Sequence, residues 1–319
     1  MYTYFVMDNF WQNLPRPIFA LAPLSGITDS AFRQICRRFG ADVVYSELSS
    51  ATAFAYQPDP TFRVLRFDEV ERPYVVQLFG SNPEHFAVAA RIVTNEIRPD
   101  GIDINFGCPI PKVFKRGAGA ALMTNLYLAR EVIQSVIENT HLPVSIKVRT
   151  KVKEVHLFDL LDRISDLDVK ALMIHGRTYA QRFSGPNDVE TTRLARSRFN
   201  GVILANGGVG SADKGIELLK ETGADGIGVA RGALGNPWIF QELKNRLNGG
   251  GDLPVTRNVS EIAREHAEIS IGLKGRHGII EMRKHLCWYL QQIPNAKKLR
   301  HMAGKVNSME DIYELLRVA

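Results

Sequence analysis

The residues with most chemistry to offer sit together in Asn105-Phe-Gly-Cys-Pro109 and the basic stretch after it. Ile102 and Ile104 are apolar and β-branched behind Pro99 and Gly101, so a strand is expected over Gly101–Asn105. Cys108 then lies just past the strand's C-terminal end, between a glycine and a proline, where a thiol is presented and held. Lys112, Lys115 and Arg116 follow, and cations near a cysteine favour its thiolate or guide an anionic ligand. Gly117 and Gly119 let the backbone pass close to a neighbour. A loop cysteine with solvated basic neighbours is the plain alternative.

What must position such a cysteine can be read from the rest of the chain. Short β-branched runs recur at 18–22, 43–46, 74–79, 101–105, 144–148, 171–174, 202–205 and 226–230, eight in all. Segments of helical apolar spacing lie between most of them, at 29–39, 83–97, 126–139, 155–167 and 211–222. Thr28-Asp29, Asn82-Pro83 and Ser211 supply helix starts. This alternation predicts an α/β fold, a parallel (β/α)8 TIM barrel. A doubly wound open sheet is the alternative, and no G-x-G-x-x-G follows the first strand to support it. The connections Glu47–Pro73 and Gly107–Asn125 are long and leave C-terminal strand ends, the face that carries the site in such barrels.

In a barrel the residues beyond each strand converge on one mouth. Here they are Pro23-Leu24-Ser25, Glu47, Gln77, Asn105 with Cys108, Lys147 with Arg149, His175 with Arg177, Asn206-Gly207-Gly208, and Ala230-Arg231-Gly232. The last two sets put backbone N–H groups and a guanidinium where barrels commonly bind phosphate. Lys147 and Gln77 lie deeper, and a cation with an amide there suits a polar heteroaromatic ring such as that of flavin mononucleotide. An ion pair of Lys147 with Asp103 or Glu47 is the alternative.

At 319 residues the chain holds such a barrel plus a small appendage. The barrel pattern predicts a domain over 1–247. Asn248–Pro254 reads as a linker, and 255–319 as an all-helical C-terminal domain. Between Lys274 and Lys305 eight cations face Glu281 alone, a net +7 within a chain of net charge +6. Such concentration reads as a footprint for a polyanion, and His285, Trp288 and Tyr289 among the cations point to nucleic acid. A solvated helix face is the alternative. No apolar run approaches the roughly 18 residues of a membrane span. The N-terminus shows no signal-peptide pattern, and three scattered cysteines suit a reducing compartment without a zinc site, so a cytoplasmic protein without metal is expected.

With these residues in hand, the chain resembles the tRNA-dihydrouridine synthases over nearly its whole length. The resemblance is carried by Leu21-Ala-Pro-Leu-Ser-Gly-Ile-Thr-Asp29 with Phe32-Arg33, Val76-Gln-Leu-Phe-Gly80, Asp103-Ile-Asn-Phe-Gly-Cys-Pro109 and Gly117-Ala-Gly-Ala120. It continues through Ile146-Lys-Val-Arg149, His175-Gly-Arg-Thr178, Asn206-Gly207 and Gly228-Val-Ala-Arg-Gly-Ala-Leu-Gly235, then Arg283-Lys-His285 and Trp288-Tyr289. It implies FMN-dependent reduction of the uridine C5=C6 bond in tRNA, with NADPH or NADH as electron donor. It implies Cys108 as general acid. Flavin contacts would fall on Pro23, Leu24, Ser25, Gln77, Lys147, His175, Asn206, Gly207, Gly208, Ala230 and Arg231, and substrate contacts on Asn105, Arg149 and Arg177. A monomer with tRNA as its partner is expected. Leu24, Thr150-Lys151 and Gly208-Val209 depart from the family's usual residues, and none touches the implied acid. A flavin barrel acting on a free small molecule would share Lys147 and the phosphate loops, but it has no use for a basic helical appendage.

Overall fold

The computed structural model describes residues 9–56, 58–250 and 258–318. Eight parallel strands form the centre: β1 (Ile18–Leu21), β2 (Val43–Tyr45), β3 (Tyr74–Phe79), β4 (Gly101–Asn105), β5 (Val144–Arg149), β6 (Ala171–His175), β7 (Val202–Asn206) and β8 (Gly226–Val229). Each pairs with the next, and β8 pairs with β1, so the sheet closes on itself. The (β/α)8 barrel read from the sequence is the architecture found.

Side chains alternate across the barrel wall. Phe19, Leu21, Val44, Val76, Ile104, Ile146, Ile174 and Val229 face outward into one large core with the helices. Ile18, Ala20, Val43, Tyr45, Val75, Ala171, Met173 and Leu204 point inward with Trp11. Trp11 belongs to a short helix, Phe10–Asn13, and Phe10 lies against Gly101 at the start of β4. These aromatics close the N-terminal end of the barrel, which the sequence reading left without a plug.

The outer helices are α1 (Ser30–Arg38), α2 (Ala51–Tyr56), α3 (Pro83–Ile92), α4 (Leu126–Ile137), α5 (Leu157–Arg163), α6 (Val189–Leu194), α7 (Ala212–Thr222) and α8 (Ile239–Leu247). The three expected caps form: Asp29, Asn82 and Ser211 accept from Phe32 N, from Glu84 N and His85 N, and from Lys214 N. Two expectations need correction. The connection Glu47–Pro73 is no open loop, for it contains α2, a second helix Pro58–Leu65 and a 3₁₀ turn at Glu69–Glu71. The helix expected over 155–167 begins only at Leu157. Lys153 takes a left-handed turn that lets Val155–His156 pair with Lys151–Val152, and His156 caps α5 instead. The Glu69–Glu71 turn is fixed to α1 by a buried ion pair of Arg33 with Glu71 at 2.5 Å, and Arg33 also donates to the carbonyls of Thr28 and Arg66.

Four further helices follow: α9 (Val259–Lys274), α10 (Arg276–Tyr289), α11 (Ala296–Ala303) and α12 (Met309–Arg317). The expected linker falls partly outside the described residues. The helices share a second core, Ala263, Ala267, Met282, Leu286, Leu299 and Ile312, which also takes in Ile35 of α1 and Trp238 from the barrel side. Among the described residues no helix is long and apolar enough to cross a membrane.

Candidate active site

Register alone brings the polar residues to one end. Gln77 lies beside Asp103, Asp103 beside Ser145, Asn105 beside Lys147, Arg149 beside His175, and Asn206 between His175 and Gly228. All stand at inward positions, alternating with the outward Leu78, Ile104, Ile146, Ile174 and Ala205. The lower barrel is apolar and the upper barrel polar, which defines the mouth.

The loop after β4 presents Cys108. Asn105 Oδ1 accepts from the backbone N–H of Gly107 at 3.2 Å and of Cys108 at 2.9 Å. Gly119 adopts φ +63° and runs so close that a Cβ there would lie 2.9 Å from Cys108 Cβ, so the glycine lets the two segments pack. Cys108 is half-buried. Burial pushes its thiol pKa upward, against smaller opposing effects of the Ile110 backbone N–H, Arg149 and Lys147. Of the two roles read for Lys112, Lys115 and Arg116, favouring a thiolate is not the one found: those side chains are exposed, and burial favours the protonated thiol.

Lys147 Nζ donates to Asn206 Oδ1 at 3.2 Å, and no ion pair with Asp103 or Glu47 forms. Burial and then Arg149 pull its pKa down to about 8. Asn206 in turn donates to Gly228 O at 2.7 Å. Glu47 accepts from Gly26 N, beyond the half-buried Pro23 and Leu24 and the exposed Ser25.

Across the mouth, Gly207 and Gly208 take φ +119° and +72°. A Cβ on Gly207 would stand 2.6 Å from Asn187 Oδ1 and 2.9 Å from His175 Cδ2, so a side chain there is excluded and the backbone stays bare. Burial, with Lys147, Arg149, Arg177 and Arg231 around it, drops the His175 pKa to about 2, so the ring is neutral. Arg177 donates to its Nε2 at 3.4 Å, which leaves Nδ1 carrying the proton. Arg231 is exposed beside Ala230. Bare glycine backbone, a neutral imidazole and guanidinium groups thus converge there, donors of the kind that an anion takes.

Two of the residues expected at the substrate are otherwise engaged. Arg149 is 1% exposed and donates to the carbonyls of Gly107 (2.8 Å), Thr178 (2.9 Å) and Arg182 (2.9 Å). It ties the Cys108 loop to the segment after β6 and does not reach into the open mouth. Asn105 is 7% exposed and holds the loop backbone. Arg177 Nε donates to Gly185 O, and Arg231 to Phe183 O, so this segment is held from several sides. Asn187, which donates to Gly207 O at 2.8 Å, and the half-exposed Phe183, stacked beside Arg149 and Arg231, escaped the sequence reading. Both lie in an irregular stretch whose spacing carries no signal.

The basic segment also differs from expectation. Lys274 pairs with Asp29 (2.6 Å) and Glu281 (2.5 Å), Lys284 donates to Gly26 O, and Arg283 donates to Val306 O. His285 and Tyr289 are 2% and 3% exposed, so neither packs against a nucleic acid. Arg276, Lys297, Lys298 and Lys305 remain exposed.

A closed barrel whose C-terminal mouth gathers a lysine, a presented thiol and bare glycine backbone beside guanidinium groups has the architecture of the (β/α)8 enzymes. The model of the family described as Dihydrouridine synthase (Dus) matches residues 20–319. Among curated relatives, tRNA-dihydrouridine synthase B of Shewanella oneidensis is 34% identical, covering 93% of this chain and 93% of its own. That of Pseudomonas aeruginosa is 33% identical (91% and 88%), and probable tRNA-dihydrouridine synthase 1 of Synechocystis is 31% identical (92% and 84%). The chain belongs to the dihydrouridine synthase family, whose members are flavin-dependent oxidoreductases. Solved structures share the fold: TcOYE with pHBA aligns with TM-score 0.54 at 12% identity, covering 72% of this chain and 89% of that one. Histamine dehydrogenase from Rhizobium sp. 4-9 aligns with TM-score 0.57 at 13% identity, covering 82% and 51%.

Proposed function

We propose that this protein reduces the C5=C6 bond of uridine in tRNA to 5,6-dihydrouridine, with FMN as resident cofactor, NADPH or NADH as electron donor and Cys108 as general acid. The observation that carries the reading is a half-buried cysteine at the mouth of the barrel, on a loop pinned by Asn105 and Arg149, where burial favours the protonated thiol. The donors at Gly207 and Gly208, with His175 and Arg231, fit the phosphate of FMN. Lys147, Gln77 and Asn206 would then hold the polar edge of the ring, and Pro23, Leu24, Ser25 and Ala230 its surroundings. When bound, FMN would supply the reducing equivalents for C6 that the nicotinamide donor provides.

Cys108 delivers the proton to C5 as that carbon gains electron density, and the resulting thiolate regains a proton from solvent. Asn105, Arg149 and Gly119 hold the loop that aims the thiol. The target base must leave its stack to reach such a mouth, and the enzyme must hold the rest of the RNA meanwhile. Residues 1–247 would carry the chemistry, and 255–319 would hold the RNA backbone through Arg276, Lys297, Lys298 and Lys305. Arg177 and Phe183 stand at the rim where a nucleotide would enter. This work needs no second protein subunit and belongs in the cytoplasm.

Cys108→Ala tests the reading. The variant is expected to keep its flavin and its reduction by NADPH while product formation falls by about 10²–10⁴-fold. Normal turnover on unmodified tRNA would remove Cys108 from the role. Activity on free uridine equal to that on tRNA would instead favour a small-molecule enzyme.

A further inference from the structure

Below Cys108 runs a chain of side-chain hydrogen bonds that begins at Asp103, a residue given no part in the proposed chemistry. Ser145 Oγ donates to Asp103 Oδ1 at 2.7 Å, and Gln77 Nε2 donates to Asp103 Oδ2 at 2.7 Å. Asn105 Nδ2 donates to Gln77 Oε1 at 3.0 Å, and Asn105 Oδ1 accepts from the backbone N–H of Gly107 and Cys108. Asp103 is fully buried and Gln77 is 1% exposed. No water competes for these groups.

The chain has a direction, and one group sets it. An amide side chain can turn either its oxygen or its nitrogen toward a neighbour, and nothing in Gln77 or Asn105 alone decides which. A carboxylate only accepts. Asp103 therefore forces Gln77 to present Nε2, which leaves Oε1 facing Asn105. Asn105 must answer with Nδ2, which leaves its Oδ1 for the loop. If Gln77 turned over, Asn105 would offer N–H groups to two backbone N–H groups, and the loop would lose both anchors. Burial raises the Asp103 carboxyl, and the bonds from Gln77 and Ser145, then Lys147, limit the rise to about 6, so near neutral pH it is the acceptor the chain needs.

We infer that Asp103 is a positioning residue for Cys108: through Gln77 and Asn105 it fixes the loop that holds the thiol at the mouth. The catalytic consequence rests on the reading of Cys108 as acid, while the positioning itself does not.

Two readouts separate these claims. Alkylation of Cys108 by iodoacetamide, followed by peptide mass mapping of the full-length flavin-loaded protein, reports the loop without any RNA. Formation of dihydrouridine in unmodified tRNA reports the chemistry. Asp103→Leu removes the acceptor. Cys108 alkylation is expected to accelerate at least fivefold as the loop loosens, and product formation to fall at least tenfold in kcat with KM for tRNA unchanged. Asp103→Asn can still turn Oδ1 to Gln77 and Nδ2 to Ser145 Oγ, so its alkylation rate should stay within about twofold of the parent. Ser145→Ala cuts a bond to the same carboxylate on the branch away from the loop, and alkylation should be unchanged. A merely structural role for a buried Asp103 would make the serine variant behave like the leucine one. Should Asp103→Leu not fold, Gln77→Met cuts the chain one link nearer the loop, and its alkylation rate is read the same way.

Alkylation at the parental rate in both Asp103→Leu and Gln77→Met, or an equal rise in Ser145→Ala, overturns the inference. Faster alkylation with undiminished product formation upholds the positioning and removes Cys108 as the acid.

Discussion

A cysteine that serves as an acid must keep its proton until the carbon needs it. Cys108 does so because burial outweighs the two cations that act on it, Arg149 and Lys147. Lys147 is displaced the other way, to about 8, by burial and by Arg149. Under the proposed mechanism these shifts would give the two half-reactions different alkaline limits. Any step that needs the Lys147 ammonium loses rate as pH rises through about 8. Proton delivery by Cys108 fails only as the thiol ionises, at higher pH. Stopped-flow reduction by NADPH without tRNA should show the lower limb. Single turnover of the pre-reduced protein with tRNA should show a second, higher limb, which Cys108→Ser displaces. Coincident limbs in both would mean that one group controls both steps. At this scale the sequence was informative where strand ends set position: Gln77, Lys147, His175 and Asn206 follow from period-two alternation once the strands are placed. It was silent on protonation, because the cations adjacent in sequence, Lys112 and Lys115, are not those adjacent in space.

Elements were legible where their own residues define them and obscure where a neighbour does. The caps of α1, α3 and α7 lie in the chain itself, as Asp29, Asn82 and Ser211. The start of α5 does not, since only the left-handed Lys153 and the small hairpin explain why Val155 is not helical. The seam between α1, α9 and α10 is a third case. His285 looked like a polar member of the basic stretch, yet it and His266 are both buried against Phe32, with rings 4.5 Å apart. Tyr289 OH lies 3.2 Å from His266 Nδ1, Asp29 attracts a charge on either ring, and Lys274 and Lys284 repel it. Burial dominates: His266 falls to about 4, and His285 lies well below its ordinary value. Both folded values are depressed, so the unfolded chain binds more protons between the two limits. Stability is therefore complete above about 6.5 and is lost as pH falls toward 4. For His266 alone the loss is about 3 kcal/mol. Urea melts at pH 7.5 and pH 5 should show it, and His266→Phe with His285→Leu should flatten the difference. An unchanged slope in that double variant would place the acid sensitivity elsewhere.

At the scale of the molecule, the basic segment divides into cations that meet the barrel and cations that stay exposed. Composition gave its net charge correctly but could not divide it, because division depends on which cations meet the barrel. Lys274 joins Asp29 at the start of α1, and Lys284 reaches the Gly26 carbonyl in the turn after β1, so these two fasten the helical layer beside the mouth. Lys297 and Lys298 of α11 have no carboxylate partner among the described residues and are exposed. The two sets should separate under mutation. Lys297→Glu with Lys298→Glu is expected to weaken tRNA binding and to reduce the slope of log affinity against log salt by about 1–2, with the melting temperature unchanged. Lys274→Glu puts a third carboxylate beside Asp29 and Glu281, so it should lower the melting temperature first and affect RNA only through that loss. Filter binding at several salt concentrations, paired with thermal melts, reads both. If Lys274→Glu alters the salt slope while leaving the melt in place, the fastening role falls and the whole segment faces RNA. If the Lys297 and Lys298 pair changes neither, the RNA lies along another face, with the exposed Lys112, Lys115 and Arg116, which follow Cys108 in the chain, as the next cations to mutate.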